Sequence, residues 1–156
     1  VASDLSDTRR DRLPYAVPHL PDASVVILPE SVQNDVGIYG NAASTLVKEL
    51  RAASITSEYL HDADHRQWMI HMGDVPTELI VGIATGVIGN GIWALFKRFL
   101  GDKFGSHPVN LHIVRQRRSA NGELSTTIVD MSGTGVKLAE LLETALNEKG
   151  ADAVGE

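Results

Sequence analysis

The side chains best suited to chemistry crowd into one short stretch: His61, Asp62, Asp64, His65 and His71. Imidazole nitrogens and carboxylate oxygens are the ligands that zinc and other first-row divalent ions take. His61 and His65 are spaced so that both would share one face of a helix, with Asp64 as an oxygen ligand beside them. The stretch HDADH follows a candidate strand, however, and a loop fixes no such geometry. A solvated polar loop is the simpler account. Neither HExxH nor any complete zinc pattern is present, so no metal is expected.

Other candidate sites are equally local. Glu30 and Ser31 follow the first apolar run, at the strand exit where α/β sheets bind ligands, and a nucleotide or nucleoside would suit that place. A plain strand-to-loop exit explains them as well. Ser132 to Gly135 (SGTG) leads into the last helix, where amide groups favour anions. It matches neither GxGxxG nor a P-loop and reads better as a helix cap. No serine lies in a G-x-S-x-G elbow. Glu140 and Glu143 fall on a solvated helix face. There is no Cys, which removes thiol nucleophiles, disulfides and Cys-based metal sites. No acid–base set converges, so a non-enzymatic role without a cofactor is expected.

The chain has 156 residues, of which 43% are apolar, and a formal net charge of −6. This is one domain with enough material for a real core. The acidic balance argues against nucleic acid as a partner. Arg9, Arg10 and Arg12 form a basic cluster, but Asp4, Asp7 and Asp11 lie among them. The opening VASDLSDTRRDR is polar and lacks the pattern of a secretory leader. A cytoplasmic protein is expected. Pro14, Pro18 and Pro21 make 1–22 a flexible or extended arm. Residues 23–148 are read as a single α/β domain and 149–156 as a disordered tail.

Within that domain, Ser24–Leu28 (SVVIL) is a short β-branched run stopped by Pro29, a buried-strand signature. Ala42, Leu46, Val47, Leu50 and Ala53 follow with helical spacing, and Thr56–Leu60 is a second strand. Strand, helix and strand predict a parallel pair. Gln67–His71 is a short third strand. Val109–Arg118 and Glu123–Asp130 flank Asn121-Gly122, a hairpin turn signal. Leu138, Leu141, Leu142, Ala145 and Leu146 stripe a last helix over 135–148. The fold class is therefore α/β (or α+β). It has a small mixed sheet of four to five strands with a C-terminal hairpin, and three helices, one of them long and glycine-rich.

That long helix is read over 76–100, around the uncharged run LIVGIATGVIGNGIWALF (79–96). Asp74 would cap it, Lys97 and Arg98 suit its C-terminal end, and Gly101 stops it. Crossing about 30 Å of hydrocarbon needs roughly 20 apolar residues, slightly more than the run supplies. Gly82 and Gly86 form a GxxxG pair, and Trp93 with the basic flank resembles an interface anchor. On a helical wheel, Gly82, Thr85, Gly86, Gly89 and Asn90 gather on one side and the aliphatic residues on the other. That division favours close protein contact, with Trp93 as an anchor. A membrane-associated subunit whose helix 77–100 inserts and oligomerises is the alternative.

The parts TSEYL, TELIVGIATGVIGNGIWALFKRFLG, VNLHIVRQRRSANGELSTTIVD and VKLAELLETAL occur in an order that resembles the effector-associated constant component proteins of bacterial conflict systems. The likeness covers about Ser44 to Leu146 and rests on pattern and order. It implies a small non-catalytic accessory module that works beside proteases, nucleases or other effectors. It carries no catalytic residue to any position here. The loop from His61 to Asp74 and the N-terminal arm with its extra strand depart from it. The leading expectation is an interaction or regulatory module of a bacterial defence assembly, self-associating (a homo-oligomer) or docking an effector. A small nucleotide sensor or enzyme at Glu30 and Ser31 is a further alternative.

Overall fold

The computed structural model describes residues 13–21, 25–70, 76–84 and 90–142. It has a mixed α/β fold built on two sheets. In chain order the strands are β1 (Val25–Leu28), β2 (Ser31–Gln33), β3 (Val36–Gly40), β4 (Ser57–Tyr59), β5 (Arg66–Met69), β6 (Thr77–Ala84), β7 (Pro108–Arg118) and β8 (Leu124–Thr134). Helix α1 (Asn41–Ala52) follows β3, and α2 (Asn90–Phe99) follows β6 and runs on into a π turn (Leu100–Phe104). Helix α3 begins at 135 and is described to 142.

The main sheet has the order β4-β1-β6-β7-β8. The expected parallel pair is present, with Val25 opposite Ser57 and Ile27 opposite Tyr59. The C-terminal hairpin is also present and runs longer than its sequence signals, from Pro108 opposite Thr134 to Arg118 opposite Leu124. Of its turn residues, Gly122 takes the positive φ, 89°. The second sheet, β2-β3-β5, joins β2 to β3 through Asn34 and Asp35, both at positive φ. Two successive left-handed residues make the primed turn that matches strand twist.

Residues 77–100 do not form one helix. Thr77–Ala84 is a strand, antiparallel to β1 and parallel to β7, and the described helical residues are Asn90–Phe99. A central strand covered on both faces carries a nearly continuous apolar run, which periodicity alone does not separate from a buried helix. Ile80, Val81 and Ile83 are β-branched and favour the strand, and the glycines of the run weaken a helix. Among the described residues, no helix is long and apolar enough to cross a membrane.

Two layers of core enclose the main sheet. On the front, Val25, Ile27, Leu79, Val81, Ile83, Val109, Leu111 and Ile113 meet Leu46, Val47 and Leu50 of α1, Ile92, Leu95, Phe96 and Phe99 of α2, and Leu138 and Leu142 of α3. On the back, Val26, Leu28, Ile80, Val114 and Ile128 are covered by Leu13 and Leu20 from the N-terminal segment. Helix α1 ends in a Schellman motif, with Ser54 N–H donating to Arg51 O and Ile55 N–H to Leu50 O. Ser54 holds the left-handed position, φ 62°, that glycine usually fills. Thr134 Oγ1 accepts from Lys137 N–H and caps α3. The Gly135 and Val136 amides at the start of α3 donate to His107 O and Gly105 O inside the fold.

Candidate functional site

The back face of the main sheet carries two polar constructions with an apolar floor between them. Residues 13–21 cross it as a strap. Pro14, Pro18 and Pro21 lack amide hydrogens, which keeps this stretch out of helix or ladder. Leu13 and Leu20 are buried while Pro14, Ala16, Pro18 and His19 face solvent. Gly82 makes room for the strap: a Cβ there would lie 2.7 Å from Leu20 Cδ1. Gln116, only 3% exposed, reads the strap backbone with both ends of its amide. Leu20 N–H donates to Gln116 Oε1 at 2.7 Å, and Gln116 Nε2 donates to Pro18 O at 2.7 Å. The Tyr15 hydroxyl donates to Pro29 O at 2.5 Å. Burial pushes the Tyr15 phenol well above its ordinary 10.0, with Tyr39 adding a smaller push.

Strand register builds the second construction. Ile80, His112 and Asp130 are level on β6, β7 and β8, and Glu78 is level with Asn110. His112, 9% exposed, lies between two carboxylates. Its Nδ1 is 2.5 Å from Asp130 Oδ1 and its Nε2 3.0 Å from Glu78 Oε1. Asn110 Nδ2 donates to Glu78 Oε2. Each ring nitrogen thus faces a carboxylate oxygen, and the group ties three neighbouring strands together.

An aromatic cluster lies where the second sheet meets the front core. The Tyr39 ring is edge-on to Tyr59 at 5.3 Å, and Trp68 lies 5.5 Å from Tyr59 and 5.8 Å from Tyr39. The Arg66 guanidinium sits 4.2 Å over the Tyr59 ring, a cation–π contact. The Tyr39 hydroxyl is 3.1 Å from His61 Nδ1 and accepts from the His61 amide. Burial pushes the Tyr39 phenol up to about 12, against smaller opposing effects of the His61 hydrogen bond and Arg66. Beyond the cluster the chain turns outward: Trp68 is 49% exposed, Met69 36% and Ile70 73%.

The structure separates the expected site residues. Gly82 is in β6 and contacts Leu20 of its own chain, whereas Trp93 is in α2, half-buried against Phe96 at 5.6 Å. They therefore share no helix face. Asn90 is in α2; Thr85, Gly86 and Gly89 lie outside the described residues. Glu30 and Ser31 do not line an open loop, because the chain turns at once into β2 and the Glu30 amide donates to Ile38 O. His61 turns to Tyr39, while His65 turns to Asp62 at 2.6 Å. Asp64 and His65 occupy a 3₁₀ turn (Ala63–His65), where i, i+4 spacing has no meaning. Among the described residues, no group of three or more His, Asp and Glu is arranged to hold a metal ion.

Gln116 and the Glu78–His112–Asp130 group carry no local spacing signal. Only the strand alternation of β6, β7 and β8, laid in register, brings them together. No protein family, curated protein or solved structure matches the chain.

Proposed function

We propose that this chain is a non-enzymatic interaction module that associates with a second copy of itself through β5, as an accessory subunit of a bacterial conflict assembly. The observation that carries the reading is the exposed run of Trp68 and Met69 in the outer strand of the second sheet and Ile70 just after it. Among the described residues the far side of β5 has no strand partner. An apolar edge strand is a template for pairing with another chain. The other long edge, β8, presents Ser125, Thr126 and Thr127 there and is mostly polar.

Self-pairing suits the residues of β5. A two-fold axis places identical strands antiparallel. Centred on Trp68, such a pair sets Trp68 against its copy, Gln67 against Met69 and Arg66 against Ile70. No like charges face each other, and the central contact is aromatic. The conflict-assembly part of the reading rests on the order of sequence parts from Ser44 to Leu146.

Sedimentation velocity of the full chain tests this. The expected result is a dimer that Ile70→Glu converts to a monomer with an unchanged far-UV spectrum. Ile70 lies outside the aromatic cluster, so the substitution leaves the fold intact. A wild-type chain that stays monomeric at high micromolar concentration, or an Ile70→Glu chain that still dimerises, refutes the β5 interface.

A further inference from the structure

We propose that the back-face groove is a binding site for extended Pro-x-Leu segments, that residues 18–20 are its resident occupant, and that an acidic Pro-Asp-Leu or Pro-Glu-Leu segment of another protein takes the same place in trans. The strap sits as a ligand sits. Among the described residues no backbone–backbone hydrogen bond joins 13–21 to the sheet. The contacts that hold it are made by side chains of the groove, or by its own side chains. An apolar residue at 116 would cover the same floor. A buried amide is costly unless its hydrogen bonds are met, and Gln116 meets them with the carbonyl of Pro18 and the amide of Leu20. That pair of backbone groups is offered by any extended segment, so the amide recognises conformation rather than sequence.

Three features add sequence preference. A proline at 18 has no amide hydrogen to satisfy and presets the extended φ. The hollow at Gly82 takes one leucine side chain, bordered by Leu28. Between them, the x side chain meets a cation: Arg118 Nη2 lies 3.1 Å from His19 Nε2. A guanidinium has no acceptor, so in this contact the imidazole nitrogen accepts. A carboxylate at x accepts with full charge, and such pairs are about twice as strong as neutral ones. The resident segment is therefore not the best one for its own groove. Tethering still favours it, because a short link gives it a high effective concentration.

The test uses the full chain with Leu20→Asp, which empties the hollow in cis. Fluorescein-labelled peptides with the sequence of residues 13–21 are added and followed by anisotropy. The wild-type peptide should bind. A peptide with His19→Glu should bind at least threefold tighter, with an advantage that shrinks as salt is raised. Adding Gln116→Leu to the chain should weaken both peptides at least tenfold, since two buried hydrogen bonds are lost. A folded Leu20→Asp chain that binds neither peptide at millimolar concentration overturns the proposal. So does binding that ignores Gln116→Leu, or that is weaker for the acidic peptide. If Leu20→Asp unfolds the chain, the peptide should restore a cooperative melting transition, and failure to restore it at millimolar peptide also overturns the proposal. None of these readouts depends on β5 pairing, which Ile70→Glu removes separately.

Discussion

Gly82→Ala separates a space-making glycine from an incidental one. Gly82 does not take a positive φ, so alanine is allowed by the backbone. In an open strand the substitution stabilises by roughly 0.5–1 kcal/mol, because glycine loses more chain entropy on folding. Here the new methyl would lie 2.7 Å from Leu20 Cδ1 and 3.3 Å from Leu28 Cδ1. The first distance is well inside ordinary carbon contact of about 3.5 Å. Forcing a methyl into a filled site costs about 1–3 kcal/mol. The net expectation is a loss of about 1 kcal/mol, or about 3 °C in Tm for a chain of this length. In a Leu20→Ala background the overlap with Leu20 is gone and only the milder contact with Leu28 remains, so the same substitution should be neutral or stabilise by about 0.5 kcal/mol. Urea denaturation of the four chains gives a coupling of about 1.5 kcal/mol between positions 20 and 82. If Gly82→Ala stabilises the wild-type chain, or if the two effects simply add, Leu20 does not occupy that hollow and the strap geometry is wrong.

Other substitutions probe separate parts of the fold. His112→Leu leaves Glu78 and Asp130 facing each other across β7 and should cost about 2 kcal/mol in urea denaturation, reduced from the buried-pair range because Glu78 is partly solvated. Ser54→Gly relieves a left-handed serine at the end of α1 and should raise stability by about 1 kcal/mol. The exposed Asp62–His65 pair should be visible by NMR titration. The hydrogen bond that His65 donates to Asp62, then the Asp62 charge, draws His65 above its ordinary 6.5, and the same bond holds Asp62 below 3.8. The His65 contribution is complete below pH 6.5 and fades as pH rises through its raised value. The Asp62 contribution is complete above 3.8 and fades as pH falls through its lowered value. Asp62→Asn should lower the His65 value, with the charges of Asp64 and Asp35 still acting to raise it.

Elements with a local cause could be read from the residues. The stripe of Ala42, Leu46, Val47 and Leu50 marks α1, and Asn121-Gly122 marks the hairpin between β7 and β8. SVVIL and TSEYL mark the parallel pair. The run from Thr77 was misread because burial on both faces erases the alternation that identifies a strand. β2 and β3 escaped because they are short and unevenly buried, although Asn34-Asp35 between two apolar-bearing runs is a turn signal. The candidate site was illegible for a different reason. Glu78, His112 and Asp130 are each ordinary in their neighbourhoods, and only the register of three strands, separated by 34 and 18 residues, makes them one group. Gly82 reads from the sequence as part of a helix face for a partner; it lies instead in β6, against Leu20 from a segment whose prolines suggest an arm.

Leu20 and the Gln116 that clasps it are separated by 96 residues of chain. During synthesis the N-terminal stretch emerges first, and its resting place is not complete until the last hairpin has been made. Until then its leucines, and the greasy underside of each strand as it forms, have nothing to bury them. Contacts this distant are slow to close, and half-made chains with bare apolar surface are prone to clumping. The final third of the molecule therefore decides when the whole becomes safe from aggregation, and damage to β7 should be felt first as poor recovery of protein from cells.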